Sequence, residues 1–140
     1  MNIWVNGCFD VLHVGHLNLL SFAKDLVNPK SKYKRINRLI VGIDSDERVR
    51  QLKGGDRPIN NQEDRKSMLE ALRMVDEVVI YNNETEMCDL ISQFKIDFMV
   101  IGDDYKSKRV LCREHSKKDV VFYPKDNRSS TDIINKIKNS

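Results

Sequence analysis

Three cysteines, Cys8, Cys88 and Cys112, are all the thiol chemistry this chain has. They are odd in number, far apart and without metal-ligand spacing, so neither a disulfide framework nor a zinc site is expected, and a reducing compartment is the default. Long apolar runs are missing too, and nothing approaches the ~20 residues of a membrane-spanning helix. A strand-like run opens at the second residue, leaving no room for a signal peptide. The expected location is the cytoplasm, with no membrane partner. One-sided charge is also absent. A net charge of +3 is too small to argue for a nucleic-acid partner. The longest basic cluster, Lys30, Lys32, Lys34, Arg35 and Arg38 around Tyr33, reads as a solvated loop. With 40% hydrophobic and 32% charged residues the composition is that of an ordinary soluble protein. No repeat, linker or low-complexity segment divides it, so residues 1–140 are expected to form one domain with a single core.

What the chain does have is regular punctuation. Apolar, β-rich runs recur at residues 3–5, 39–43, 78–81, 98–101 and 120–123. They are continuous rather than alternating, as strands covered on both faces should be. Between them lie helical stripes: Met68, Leu69, Leu72 and Val75 within 60–75; Met87, Leu90, Ile91 and Phe94 within 84–94; Ile133, Ile134 and Ile137 within 130–137. Strands alternating with helices predict an α/β fold, a Rossmann-like, doubly wound, five-stranded parallel sheet in three layers. Ligands of such sheets bind beyond the carboxyl ends of the strands, where strand order reverses.

The first strand runs into Asn6-Gly7-Cys8-Phe9-Asp10-Val11-Leu12-His13-Val14-Gly15-His16, followed by a helical stretch over 17–27. Residues three apart share a helix face, so His13 and His16 can address one ligand. Gly7 permits close backbone approach, and the helix start offers open N–H groups and a positive dipole end. A polyphosphate suits such a place. Taken alone, two histidines at this spacing are more often a satisfied surface or core pair, or a fragment of a metal site, than a phosphate clamp. His115 is the only other histidine and lies in a segment without ligand spacing, so no metal ligands are assigned.

Near the end comes Arg128-Ser129-Ser130-Thr131-Asp132 before an apolar stripe. On capping grounds this is simply a helix start. A guanidinium, hydroxyls and open amides are also a phosphate-binding set, and two such helix starts would face each other at the sheet edge. Lys53 precedes Gly54 and Gly55 in what reads as a mobile loop and could act as a lid, or be a solvated lysine. Asn60 or Asn61 caps the next helix. Arg65 then sits in its first turns, where a cation opposes the dipole, which points to a ligand or a carboxylate partner. Gly102-Asp103-Asp104 after the fourth strand could hold a ribose or help position Mg²⁺, or form a turn.

The run at residues 7–16 resembles, across all ten positions, the signature of the His-x-Gly-His nucleotidyltransferase superfamily that includes the cytidylyltransferases. The residues from Arg128 to Thr131 resemble its second signature. Residues 39–46, Lys53-Gly54 with Arg57-Pro58-Ile59, and Glu63-Asp64-Arg65 through Val75-Asp76 are similar to the nucleotidyltransferase domain of ADP-heptose synthases. Asp103-Asp104 and Arg128 lean towards the glycerol-3-phosphate cytidylyltransferases. Residues 28–37 depart from both, and Cys8 stands where Thr is frequent.

The resemblance implies a transferase that joins NMP from an NTP, ATP or CTP, to a sugar or polyol phosphate and releases pyrophosphate, with Mg²⁺ bridging the phosphates. It makes His13, His16, Lys53 and Arg128 the catalytic set. Gly7, Cys8, Phe9, Asp10, Gly15, Gly102, Asp103, Asp104, Ser129, Ser130 and Thr131 would bind the nucleotide, and Arg65 and Asp10 the substrate. Homodimers are common among such relatives. A non-catalytic nucleotide-binding module, or one domain of an enzyme whose kinase partner is separate, is the alternative from another class.

Overall fold

Alternate residues of each apolar run go to opposite faces of one sheet, and both faces are covered. In the computed structural model of the protein, which describes residues 1–27, 36–103, 108–124 and 129–140, the runs form β1 (Asn2–Gly7), β2 (Arg38–Asp44), β3 (Glu77–Tyr81), β4 (Phe98–Gly102) and β5 (Asp119–Tyr123). They pair in parallel in the order β3-β2-β1-β4-β5. Ile3 and Val5 of β1 join Leu39, Val41 and Ile43 of β2 in one buried cluster, while Trp4 and Ile40 join the other. Gly42 is needed for that second cluster: a Cβ there would stand 2.3 Å from the Trp4 ring. The expected doubly wound α/β sheet is what forms. Strand order reverses between β1 and β4, beside the His13–His16 motif.

The helices are α1 (Val14–Lys24), α2 (Asp46–Lys53), α3 (Gln62–Glu70), α4 (Glu84–Gln93) and α5 (Ser130–Lys138). Asn61, Asn83 and Ser129 cap α3, α4 and α5, each accepting the N–H three residues on. Helix α1 starts three residues before the stretch read from the sequence. Helix α2 was not expected. It buries only Val49, so it shows no apolar stripe, and it is held by its ends. Ser45 accepts from Arg48 N–H, Asp46 and Glu47 lie in the first turn, and Arg50 and Lys53 in the last, matching the dipole. Lys53 therefore ends a helix instead of riding a glycine loop, and Gly54, at φ +104°, stops it.

A second correction concerns the cysteines. Cys88 of α4 and Cys112, which precedes a single 3₁₀ turn (Arg113–His115), have Cα atoms 5.2 Å apart and are joined as a disulfide. Twenty-four positions separate them in sequence, a pairing made by the packing of α4 against the segment before β5 and invisible to spacing rules. Cys8 is the free thiol. Of the basic cluster, residues 30–35 lie outside the described residues; Arg38 opens β2 and pairs with Glu77. Among the described residues no helix is long and apolar enough to cross a membrane.

Candidate active site

The carboxyl ends of β1, β2, β3 and β4 open into one cavity of about 650 Å³, a size suited to a small-molecule ligand. It brings together most of the residues chosen from the sequence: Gly7, Cys8, Phe9, Asp10, His13, Gly15, His16, Lys53, Gly102, Ser129, Ser130 and Thr131. Arg65 and Asp103 do not line it. Asp104 and Arg128 lie outside the described residues.

The histidines are arranged by the start of α1. His13 is the N-cap, in extended backbone conformation, and His16 is the third residue of the helix. The His16 Nδ1 accepts the His13 backbone N–H at 3.2 Å. In a neutral ring this places the proton on Nε2, as a donor on the far side of the imidazole. The two rings stack at 3.8 Å between centroids, and Phe9 packs on His16 at 5.1 Å. Phe9 is buried and holds φ +51°, the left-handed region that a non-glycine residue rarely occupies. A Cβ on Gly7 would come within 3.1 Å of its ring. Gly7 thus makes room for Phe9, and Phe9 fixes His16.

Two sequence assignments change role here. Asp10 was expected to touch nucleotide and substrate, but its side chain is closed off and its oxygens are taken. Oδ2 accepts from Arg57 Nε at 3.1 Å and Ile59 N–H at 2.8 Å, and Oδ1 accepts Asn60 N–H at 2.8 Å. Burial pushes its carboxyl up, yet these bonds outweigh burial and hold it below the usual carboxylate range. Asp10 braces the histidine loop against residues 57–60. Arg65, expected at the substrate, is buried with each guanidinium nitrogen engaged: Nε to Asn60 O, Nη1 to Cys8 O and Asp44 O, Nη2 to Asp46 Oδ1 at 2.9 Å. The carboxylate partner anticipated for it is Asp46, and its role is to tie the ends of β1 and β2 to α3.

The start of α5 does stand opposite the start of α1. Ser130 Oγ donates to Val11 O, which joins the two helix starts directly. Ser129 Oγ accepts the Asp132 N–H as the cap, and Thr131 Oγ1 accepts from Arg57 Nη1 at 3.3 Å. The hydroxyls thus hold the wall together while facing the cavity.

Several other lining residues were not expected. Asp44, Arg48 and Tyr81 form the β2–β3 side, with Arg48 Nε donating to Asp44 at 3.0 Å and its guanidinium 5.7 Å from the Tyr81 ring centroid. Burial first, and the Asp44 charge second, raise the Tyr81 phenol well above its usual range. The i, i+4 spacing of Asp44 and Arg48 was a readable signal for their pairing. Arg109, Val110 and Leu111, just before Cys112, line another side. Burial also raises the Cys8 thiol, against the pull of Lys53 and Arg65.

Residues 4–136 match the family model described as cytidylyltransferase-like. The chain is 43% identical over 136 residues to the "Bifunctional protein HldE" of Campylobacter fetus subsp. fetus, covering 97% of this chain and 28% of that protein. It is 38% identical over 138 residues to the protein of the same name from Helicobacter hepaticus, covering 99% of this chain and 27% of that protein. The chain therefore spans only part of these relatives. A solved structure, the lipopolysaccharide core biosynthesis protein from Thermoplasma volcanium GSS1, superposes with a TM-score of 0.68 over 91% of this chain and 98% of that one. At 22% identity, that likeness speaks to the fold alone.

Proposed function

Because the chain belongs to the cytidylyltransferase-like family, we propose that its cavity transfers AMP from ATP to a sugar phosphate, a heptose 1-phosphate. The observation that carries this is the stacked His13–His16 pair at one helix start, joined to the start of α5 by the Ser130–Val11 bond in the wall of one cavity.

An oxygen of the acceptor phosphate attacks the α-phosphorus, the bond to the bridging oxygen of the β-phosphate breaks, and pyrophosphate leaves with that electron pair. Such a reaction asks for positioning and charge stabilisation rather than covalent help. The His16 Nε2–H, fixed by its Nδ1 bond, donates to the oxygen on which charge develops. His13 lies against it as the second imidazole. Lys53 at the end of α2 neutralises phosphate charge, and the open amides of α1 and α5 receive the remaining oxygens. Arg128 and the Asp103–Asp104 pair are carried here as further phosphate and ribose contacts on resemblance alone.

Mg²⁺ enters as part of the nucleotide substrate. The cavity's described carboxylates are already committed, Asp10 to three donors and Asp44 to Arg48, so phosphate oxygens and water are its natural ligands.

The test is pyrophosphate release with ATP or CTP, each offered with heptose 1-phosphate or glycerol 3-phosphate. Release with ATP and heptose 1-phosphate is expected. Turnover with CTP alone would replace both donor and subfamily. Calorimetric binding of nucleotide with no release from any pair would leave a binding module in place of an enzyme.

A further inference from the structure

Two buried arginines stand within eight residues of each other, and they differ in one respect. Arg65 has an acceptor for every guanidinium nitrogen and does not line the cavity. Arg57 is 7% exposed and does line it. Its Nε donates to Asp10 Oδ2 at 3.1 Å and its Nη1 to Thr131 Oγ1 at 3.3 Å. Its Nη2 is closed to solvent and has no acceptor among the described residues. A buried charged donor without an acceptor is costly.

The position gives the spare nitrogen a meaning. Asp10 belongs to the loop before α1, and Thr131 to the first turn of α5. Arg57 therefore spans the two helix starts where an anion is favoured. The Asp10 charge is shared with two backbone N–H groups, which leaves the guanidinium only partly compensated. A planar fork with a free N–H beside open amides suits the oxygens of an anion, and those of a phosphate in particular where helix starts converge.

We propose that Arg57 is a phosphate-binding residue of this cavity, whose Nη2 donates to an oxygen of the nucleotide's polyphosphate while its other nitrogens hold the starts of α1 and α5 at the spacing the polyphosphate needs. This rests on the nucleotidyl-transfer reading above. The contact to Thr131, the longer of the two, is the one that yields as the phosphate oxygen enters.

Inorganic tripolyphosphate is the probe, since it carries no base and no sugar. Calorimetry should give a Kd for folded Arg57→Lys roughly 10- to 100-fold weaker than wild type, the size of a charge-assisted hydrogen bond. Wild-type affinity in Arg57→Lys, alongside wild-type turnover in the parent chain, would overturn the inference and leave the proposed function standing. A parent chain that neither binds tripolyphosphate nor turns over would remove both. Should Arg57→Lys fail to fold, the parent chain labelled with ¹⁵N-arginine still decides. Among the described residues the buried guanidinium Nε–H signals belong to Arg57 and Arg65. Tripolyphosphate should move one and leave the other; if neither moves, Arg57 is a brace like its neighbour.

Discussion

Replacing Asp10 with asparagine removes the carboxylate that pairs with the buried Arg57 guanidinium in the cavity wall. In the native chain its two oxygens receive Arg57 Nε and the N–H groups of Ile59 and Asn60. Asparagine keeps one oxygen and turns an NH₂ towards a donor. Removing one side of a buried, hydrogen-bonded pair costs about 3–5 kcal/mol, because the surviving charge stays buried. A domain of this size has a total stability on the order of 10 kcal/mol. At a few degrees per kcal/mol, the melting temperature should fall by roughly 10–15 °C. Urea titration at pH 7 measures the loss directly. Its pH dependence has a definite sign. The folded Asp10 pKa is depressed, so its contribution is fully present above the unfolded value, about 3.9, and is lost as pH falls through the depressed value. The gap between wild type and Asp10→Asn should be full at neutral pH and narrow on acidification below about pH 4. A loss under about 1 kcal/mol, or a gap unchanged into strong acid, would show that the carboxylate does not hold the histidine loop.

Other changes are equally specific. His16→Ala should lower kcat by roughly 10²–10³ in steady-state kinetics, with the fold intact by circular dichroism; a smaller drop removes the imidazole from the chemistry. Gly42→Ala places a methyl 2.3 Å from the Trp4 ring and should destabilise by about 1–3 kcal/mol. The single tryptophan makes that visible as a changed fluorescence spectrum, and an unchanged spectrum would count against the packing described. Cys88→Ser opens a loop whose ends are 24 positions apart, at a cost of about 3 kcal/mol by the chain-entropy estimate; equal denaturant midpoints for oxidised and reduced wild-type protein would contradict a stabilising bond.

The sheet was legible because its strands are buried on both faces, so the apolar runs stand out without interruption. Helix α2 was not, because it is built from caps and charges around one buried valine, a pattern that does not rise above a polar loop in sequence. The same polar character misplaced Lys53. The histidine motif was legible because its parts are adjacent in sequence: strand, turn, imidazoles and helix lie within residues 2–24. The cavity wall was not. Asp10 reaches Arg57 across 47 positions and Arg57 reaches Thr131 across 74, and only the fold brings such pairs together. The Cys88–Cys112 bond escaped notice for the same reason.

What separates a group that binds from a group that braces is how much of its hydrogen-bonding capacity remains, and this cannot be read from residue type. Asp10 and Arg65 are residues a phosphate or sugar site would use, and both are committed to the protein. That commitment has a physical cause. The loop between β1 and α1 must hold Phe9 in a left-handed conformation and two imidazoles in a stack, and backbone in that state persists only where its surroundings fix it. Asp10 fixes it from residues 57–60, Arg65 from α3 through Cys8 O, and Ser130 from α5 through Val11 O. Three polar anchors on one short loop leave the His16 Nε2–H with a fixed direction before any substrate arrives. For the proposed nucleotidyl transfer such an arrangement matters, because a donor held in place beforehand needs no reorganisation during the reaction.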